Sequence, residues 1–262
     1  MKIKTHHKHL LDSAIILSFS TTMLLGCLGI TEETEGVVEP EELVNLLTSS
    51  NKAVNGNPGL WGNDANTTVR FDTSSDIPVY FVSNGGGMVP DVIQESVNVM
   101  SNQLGVRFSK FVVLDEDLSQ YRDNNYPNQN VGNYRFSKGA FQSKHGINGG
   151  IVFAIDTAFY SHQYSFSPST MCANASHAPY DGGMAIDIDY NTQTYQSDTL
   201  LWVNLGNRQC SWDKAIVLHE MAHVLGLFQH FEYYGSWNTT SMAVLKLLYR
   251  NHPGTPFHSL SM

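Results

Sequence analysis

Positive charge is scarce in this chain. Lysine and arginine together number 15 in 262 residues, against 24 aspartates and glutamates, and the formal net charge is −9. No stretch concentrates enough of that charge to form a basic patch, so nucleic acid is excluded as a partner class. Cysteine is scarcer still, at three residues. No G-x-S-x-G motif occurs, and no internal repeat is visible. Carboxylates nearly vanish towards the C-terminus, where Glu232 is the only one beyond His223. The apolar run Ala14 to Leu25 is too short to span a bilayer comfortably. What remains is a chain long enough for a sizeable core and one main domain.

The first 26 residues read as an export signal rather than as fold. Lys2, Lys4 and Lys8, with three histidines, precede the apolar run, which ends in Leu24-Leu25-Gly26-Cys27. That ending resembles the bacterial lipobox, which implies a lipid anchor at Cys27 and attachment to the bacterial cell envelope, at the outer membrane or cell surface. Residues 27–68 read as an acidic, then Asn- and Gly-rich tether, with six glutamates between Glu32 and Glu42 and a short helix within Glu41 to Leu47. The folded domain is placed at 69–262. With Cys27 lipidated, Cys172 and Cys210 form an even pair in an oxidising compartment, which favours a disulfide over two free thiols or a zinc-binding latch.

Periodicity predicts an α+β fold. Strands are expected at Ile77 to Val82, Phe108 to Leu114, Gly149 to Phe159, Met184 to Tyr190 and Leu200 to Leu205. Residues 119–148 and 161–182 read as loops. A helix opening at Pro90 is expected to end at Gly105. Asp187 and Asp189 share one strand face and, with Asp181, form a candidate calcium set, although no EF-hand-like loop accompanies them. A second helix is predicted from Trp212 to Leu225 with Ser211 as its N-cap, and a last one from Ser241 to Tyr249.

The second helix carries His219-Glu220-Met221-Ala222-His223. Histidines four apart lie on one helix face, about one turn apart, so both imidazoles reach one metal ion. The intervening glutamate then reaches a water beside that ion, the minimum set for zinc-assisted hydrolysis. This helix is otherwise apolar nearly all round, and three polar groups buried in it without a purpose would be costly. A catalytic zinc usually keeps three protein ligands. The third is to be sought among His230, Glu232, His252 and His258, with His230 favoured because Gly226 can end the helix and turn the chain back.

His219-Glu220-x-x-His223-x-x-Gly226 followed by His230 resembles the metzincin metallopeptidases, H-E-x-x-H-x-x-G-x-x-H. The family's third histidine falls where this chain has Gln229, so His230 is one residue late. The resemblance implies a twisted mixed sheet with a buried active-site helix and a C-terminal helix. It implies one catalytic zinc on His219, His223 and His230, Glu220 as general base, and a protein or peptide substrate along an edge strand. A methionine turn beneath the metal is also implied, with Met242 either its candidate or an ordinary helix-start methionine, while Tyr233 or Tyr234 could supply a transition-state hydrogen bond or equally pack in the core. The expected protein is an exported, monomeric zinc metalloendopeptidase. Its alternatives are a zinc-holding surface lipoprotein without turnover and a zinc amidase acting on cell-wall peptides.

Overall fold

Large apolar side chains alternate to both faces of one sheet. The computed structural model describes residues 38–51, 66–83, 85–123, 135–136, 138–155, 172–176, 188–206, 211–231, 234 and 237–262. In chain order these form α1 (Pro40–Asn51), β1 (Val79–Ser83), α2 (Asp91–Leu104), β2 (Val112–Asp115), β3 (Arg122–Asp123), β4 (Arg135–Phe136) and α3 (Lys138–His145). There follow β5 (Gly150–Ile155), β6 (Ala173–Ser176), β7 (Ile188–Asp189), β8 (Thr194–Tyr195), β9 (Leu200–Leu205), α4 (Lys214–Val224) and α5 (Thr239–Arg250). Five strands make the main sheet in the order β2-β1-β5-β9-β6. The first four are parallel, and β6 runs antiparallel to β9 at the edge. The chain is therefore mixed α/β with a mostly parallel sheet.

Parallel strands covered on both sides read as continuous apolar runs, and β1, β5 and β9 do so. Val79, Phe81, Ile151, Phe153, Leu201, Val203 and Leu205 face a large core that includes apolar side chains of α1, α2, α4 and α5. Tyr80, Val82, Val152, Ala154, Leu200 and Trp202 face a smaller core on the other side, closed by Leu118 and Phe141. The Phe141 and Trp202 rings lie 5.5 Å apart, which seats α3 on that second face. α4 packs on β6 and β9, with α2 beside it, so the site helix is enclosed by sheet and helix.

Local chemistry sets the helix ends. Gly105 closes α2 with φ 68°, and its N–H donates to Ser101 O. At α4 the cap is Asp213 rather than Ser211: its carboxylate accepts the Ile216 N–H at 3.0 Å. The helix is correspondingly shorter than expected. α5 begins at Thr239, capped by Asn238.

Three expectations change. The folded unit does not begin at residue 69. α1 lies within the stretch read as tether, yet Leu47, Ser50 and Asn51 are fully buried and the helix packs on α5. The loop expected at 119–148 contains α3, with Phe141 fully buried. The loop expected at 161–182 contains β6. Of the strand expected at Met184 to Tyr190, β7 holds Ile188 and Asp189, and residues 184–187 lie outside the described set. So do residues 1–37, which include the stretch read as an export signal, Cys27 and the start of the acidic run. Among the described residues no helix is long and apolar enough to cross a membrane.

Leu47→Ala tests whether α1 belongs to the fold. Emptying a fully buried leucine site is expected to cost about 2–5 kcal/mol in urea denaturation. A change within about 0.5 kcal/mol, the usual range for surface positions, would return this segment to a tether.

Candidate metal centre

α4 enters the molecule with almost no polar face. Val217, Leu218, Met221, Ala222 and Val224 are buried, and so are Glu220 and His223. From Val217 to Val224 only His219 is partly exposed, so this part of the helix offers almost no solvent side. The chain leaves it through Gly226, whose φ is +121°. That conformation calls for glycine, and a Cβ there would also crowd Leu248 Cδ2 at 2.7 Å and Val69 O at 3.2 Å. His230 then comes back over the helix face bearing the other two histidines.

Three Nε2 atoms converge. His230 Nε2 lies 3.1 Å from His219 Nε2 and 3.1 Å from His223 Nε2. These histidines lie close enough to bind one metal ion, and they form the one such cluster among the described residues. The other ring nitrogens explain why. His219 Nδ1 lies 3.1 Å from Tyr234 O, and His223 Nδ1 lies 2.6 Å from Leu227 O. A carbonyl oxygen only accepts, so each Nδ1 carries the proton and each Nε2 presents a lone pair in the neutral ring. His230 has at most one Nε2 proton to offer, which serves one neighbour and not both. A cation resolves that conflict; the two carbonyls have already fixed the tautomers a metal needs.

The electrostatics agree. Burial, reinforced by the charge of His230, lowers the His219 pKa to about 4. Burial and the His219 charge lower that of His223 to about 3. Burial lowers His230 as well. His219 and His223 thus stay neutral well into acid, and burial favours the neutral form of His230 as well. Glu220 goes the other way: burial raises its pKa to about 8, opposed by the Ala175 N–H that donates to its carboxylate. Ala175 belongs to the edge strand β6.

Tyr234 forms the floor. Its ring centroid lies 4.5 Å from that of His219, 4.9 Å from His223 and 5.1 Å from His230. Its hydroxyl donates to His219 O at 2.9 Å, and the side chain is fully buried. The hydroxyl is thus bound to backbone, and the expectation that Tyr234 hydrogen-bonds a transition state is withdrawn; Tyr233 lies outside the described residues. Met242 sits in the first turn of α5, so it makes no methionine turn. An aromatic ring lies beneath the histidines.

The other candidates separate from the site. His252 and His258 are exposed and stand outside the cluster, and Glu232 lies outside the described residues. Asp189 joins no metal cluster among the described residues; its carboxylate accepts the Asn191 N–H in a turn, while Asp181 and Asp187 are not described. Cys172 immediately precedes β6, and Cys210 lies outside the described residues. Sequence reasoning missed Ala175 and the floor role of Tyr234. The A-N-A-S stretch carries no β-branched or aromatic residue to announce a strand.

These shifts fix the pH response of the metal-free protein. The two helix histidines bind protons more readily when unfolded, so stability falls as pH drops below about 6.5. Glu220 ionises more readily when unfolded, so stability also falls as pH rises from about 4.5 towards 8. Two histidines outweigh one carboxyl below pH 6.5, and above it the carboxyl acts alone. Thermal unfolding in chelator is expected to show a maximum near pH 6.5, with the alkaline decline abolished in Glu220→Gln; a midpoint flat from pH 4.5 to 8.5 would contradict these assignments. Compared with protein-family models and with curated proteins, the chain gives no match.

Proposed function

We propose that the chain is a zinc-dependent endopeptidase of metzincin type, hydrolysing peptide bonds in extended protein substrates. The observation that carries the reading is the convergence of three neutral imidazoles beside a buried glutamate. Tetrahedral zinc with Zn–N near 2.0–2.1 Å separates its nitrogens by about 3.3 Å, close to the spacing of His230 from each partner. Gly226 and the turn to His230 absorb the extra residue before the third ligand. The mostly parallel sheet, the enclosed site helix and the antiparallel edge strand beside Glu220 support the resemblance.

His219, His223 and His230 would hold the zinc, which when bound would supply Lewis acidity towards a scissile carbonyl and lower the pKa of a nearby water. The chain's own residues do the rest. Glu220 accepts the proton of the attacking water on its carboxylate and passes it to the leaving amine nitrogen. The Ala175 N–H orients that carboxylate from the edge strand. Gly206 N–H bonds Cys172 O at 2.7 Å, so by alternation Ala173 and Ala175 turn their backbone groups away from β9. An extended peptide pairs with such an edge, which places its carbonyl near Glu220. Export, the lipid anchor at Cys27 and the Cys172–Cys210 disulfide belong to the same proposal, because a tethered envelope peptidase works in an oxidising compartment.

Hydrolysis of a generic protein substrate is expected to disappear on chelation and to return with zinc. Glu220→Gln is expected to lose about 10²- to 10⁴-fold in kcat while still binding zinc. Full activity in that variant would sink the mechanism, and activity indifferent to chelation would sink the metal.

A further inference from the structure

His230 is the one ligand that no helix holds. It sits on the segment leaving α4, and loops are normally less well fixed than the elements they join. A ligand must nonetheless be held to within about 0.5 Å of its working position. Gly226 N–H and Leu227 N–H still bond within the helix end, to His223 O and Ala222 O. Beyond that point the backbone needs partners from elsewhere.

Those partners are the last two residues of α1. Phe228 N–H and Gln229 N–H both donate to Ser50 O, at 3.0 and 3.1 Å. The Ser50 hydroxyl donates to Gln229 O at 2.7 Å. Asn51 Nδ2 donates to Gly226 O at 2.7 Å and to Val69 O at 2.8 Å, while Asn51 Oδ1 accepts the Val69 N–H at 2.9 Å. Carbonyls in the last turn of a helix lack helical partners, and Ser50 O spends that vacancy on the turn. Both side chains are fully buried, so water does not compete for these bonds.

We infer that Ser50 and Asn51 are positioning residues for the third metal ligand, clamping the Gly226–Gln229 turn so that His230 is delivered to His219 and His223. The inference rests on the metal-centre reading. It makes α1 a part of the site's support, remote in sequence from every ligand. A helix that served the core alone would need burial of Leu43 and Leu47 but no hydrogen bonds to this turn.

The test uses the full chain with zinc and cobalt as probes. Asn51→Asp keeps shape and the acceptor for Val69 N–H but sets an oxygen against two carbonyl oxygens. Ser50→Ala removes only the hydroxyl, and covers the case in which Asn51→Asp does not fold. Leu47→Ala is the control for a merely structural effect on the same helix. Zinc affinity, by competition with a chromophoric chelator, is expected to fall about 10- to 100-fold in Asn51→Asp, and in Ser50→Ala to fall towards that range. The visible spectrum of the cobalt-loaded protein is expected to change in both. Leu47→Ala is expected to lower the melting temperature with affinity and spectrum unchanged. Folded clamp variants that match the wild type in affinity and spectrum would overturn the inference and leave the metal centre standing. A wild-type chain that binds neither ion would overturn both.

Discussion

The structure depends on a proton arrangement. Two imidazoles of one buried helix point their Nδ1–H groups at backbone carbonyls, Tyr234 O and Leu227 O, and so turn unprotonated Nε2 atoms towards each other and His230. In a protein interior this would normally be an unfavourable choice, since unpaired lone pairs gain nothing from burial. It becomes sensible as preparation for a cation. The same burial that lowers the histidine pKa values raises that of Glu220, so one apolar setting favours both neutral imidazoles and a protonated carboxyl beside them.

Most of the remaining architecture serves to hold this arrangement. The parallel strands β1, β5 and β9 give α4 a rigid apolar bed, and α2 packs at its side. The edge strand β6 brings Ala175 to Glu220 and leaves backbone groups facing outward. Tyr234 closes the floor and ties its hydroxyl to the His219 carbonyl. α1 reaches the turn before His230 from more than a hundred residues away in sequence. Three histidines close together along the chain are thus packed against groups drawn from widely separated parts of it.

What was legible in the sequence was what local physics decides. H-E-x-x-H on an apolar helix pointed to two histidines on one helix face beside a buried glutamate, and glycine at 226 announced the turn. The runs at 79–83, 150–155 and 200–205 are β-branched, aromatic or leucine-rich, and each is a strand. Pro90 and Gly105 bracketed α2 correctly. What escaped was decided by tertiary contacts. β6 is four small or polar residues whose pairing with β9 makes them a strand. α1 looks like tether because acidic residues open it, and its burial comes from α5. Met242 had the right residue type for a methionine turn, but the chain around it is helical. The floor is aromatic instead, and nothing local distinguishes Tyr234 from a core tyrosine.

The central claim is that His219, His223 and His230 together hold one metal ion. X-ray absorption at the zinc edge of the purified, zinc-loaded protein measures this most directly. The account predicts one ion per chain with three imidazole nitrogens at about 2.0–2.1 Å. A first shell containing two imidazoles and a protein carboxylate, or one unaltered when His230 is replaced by alanine, would contradict it.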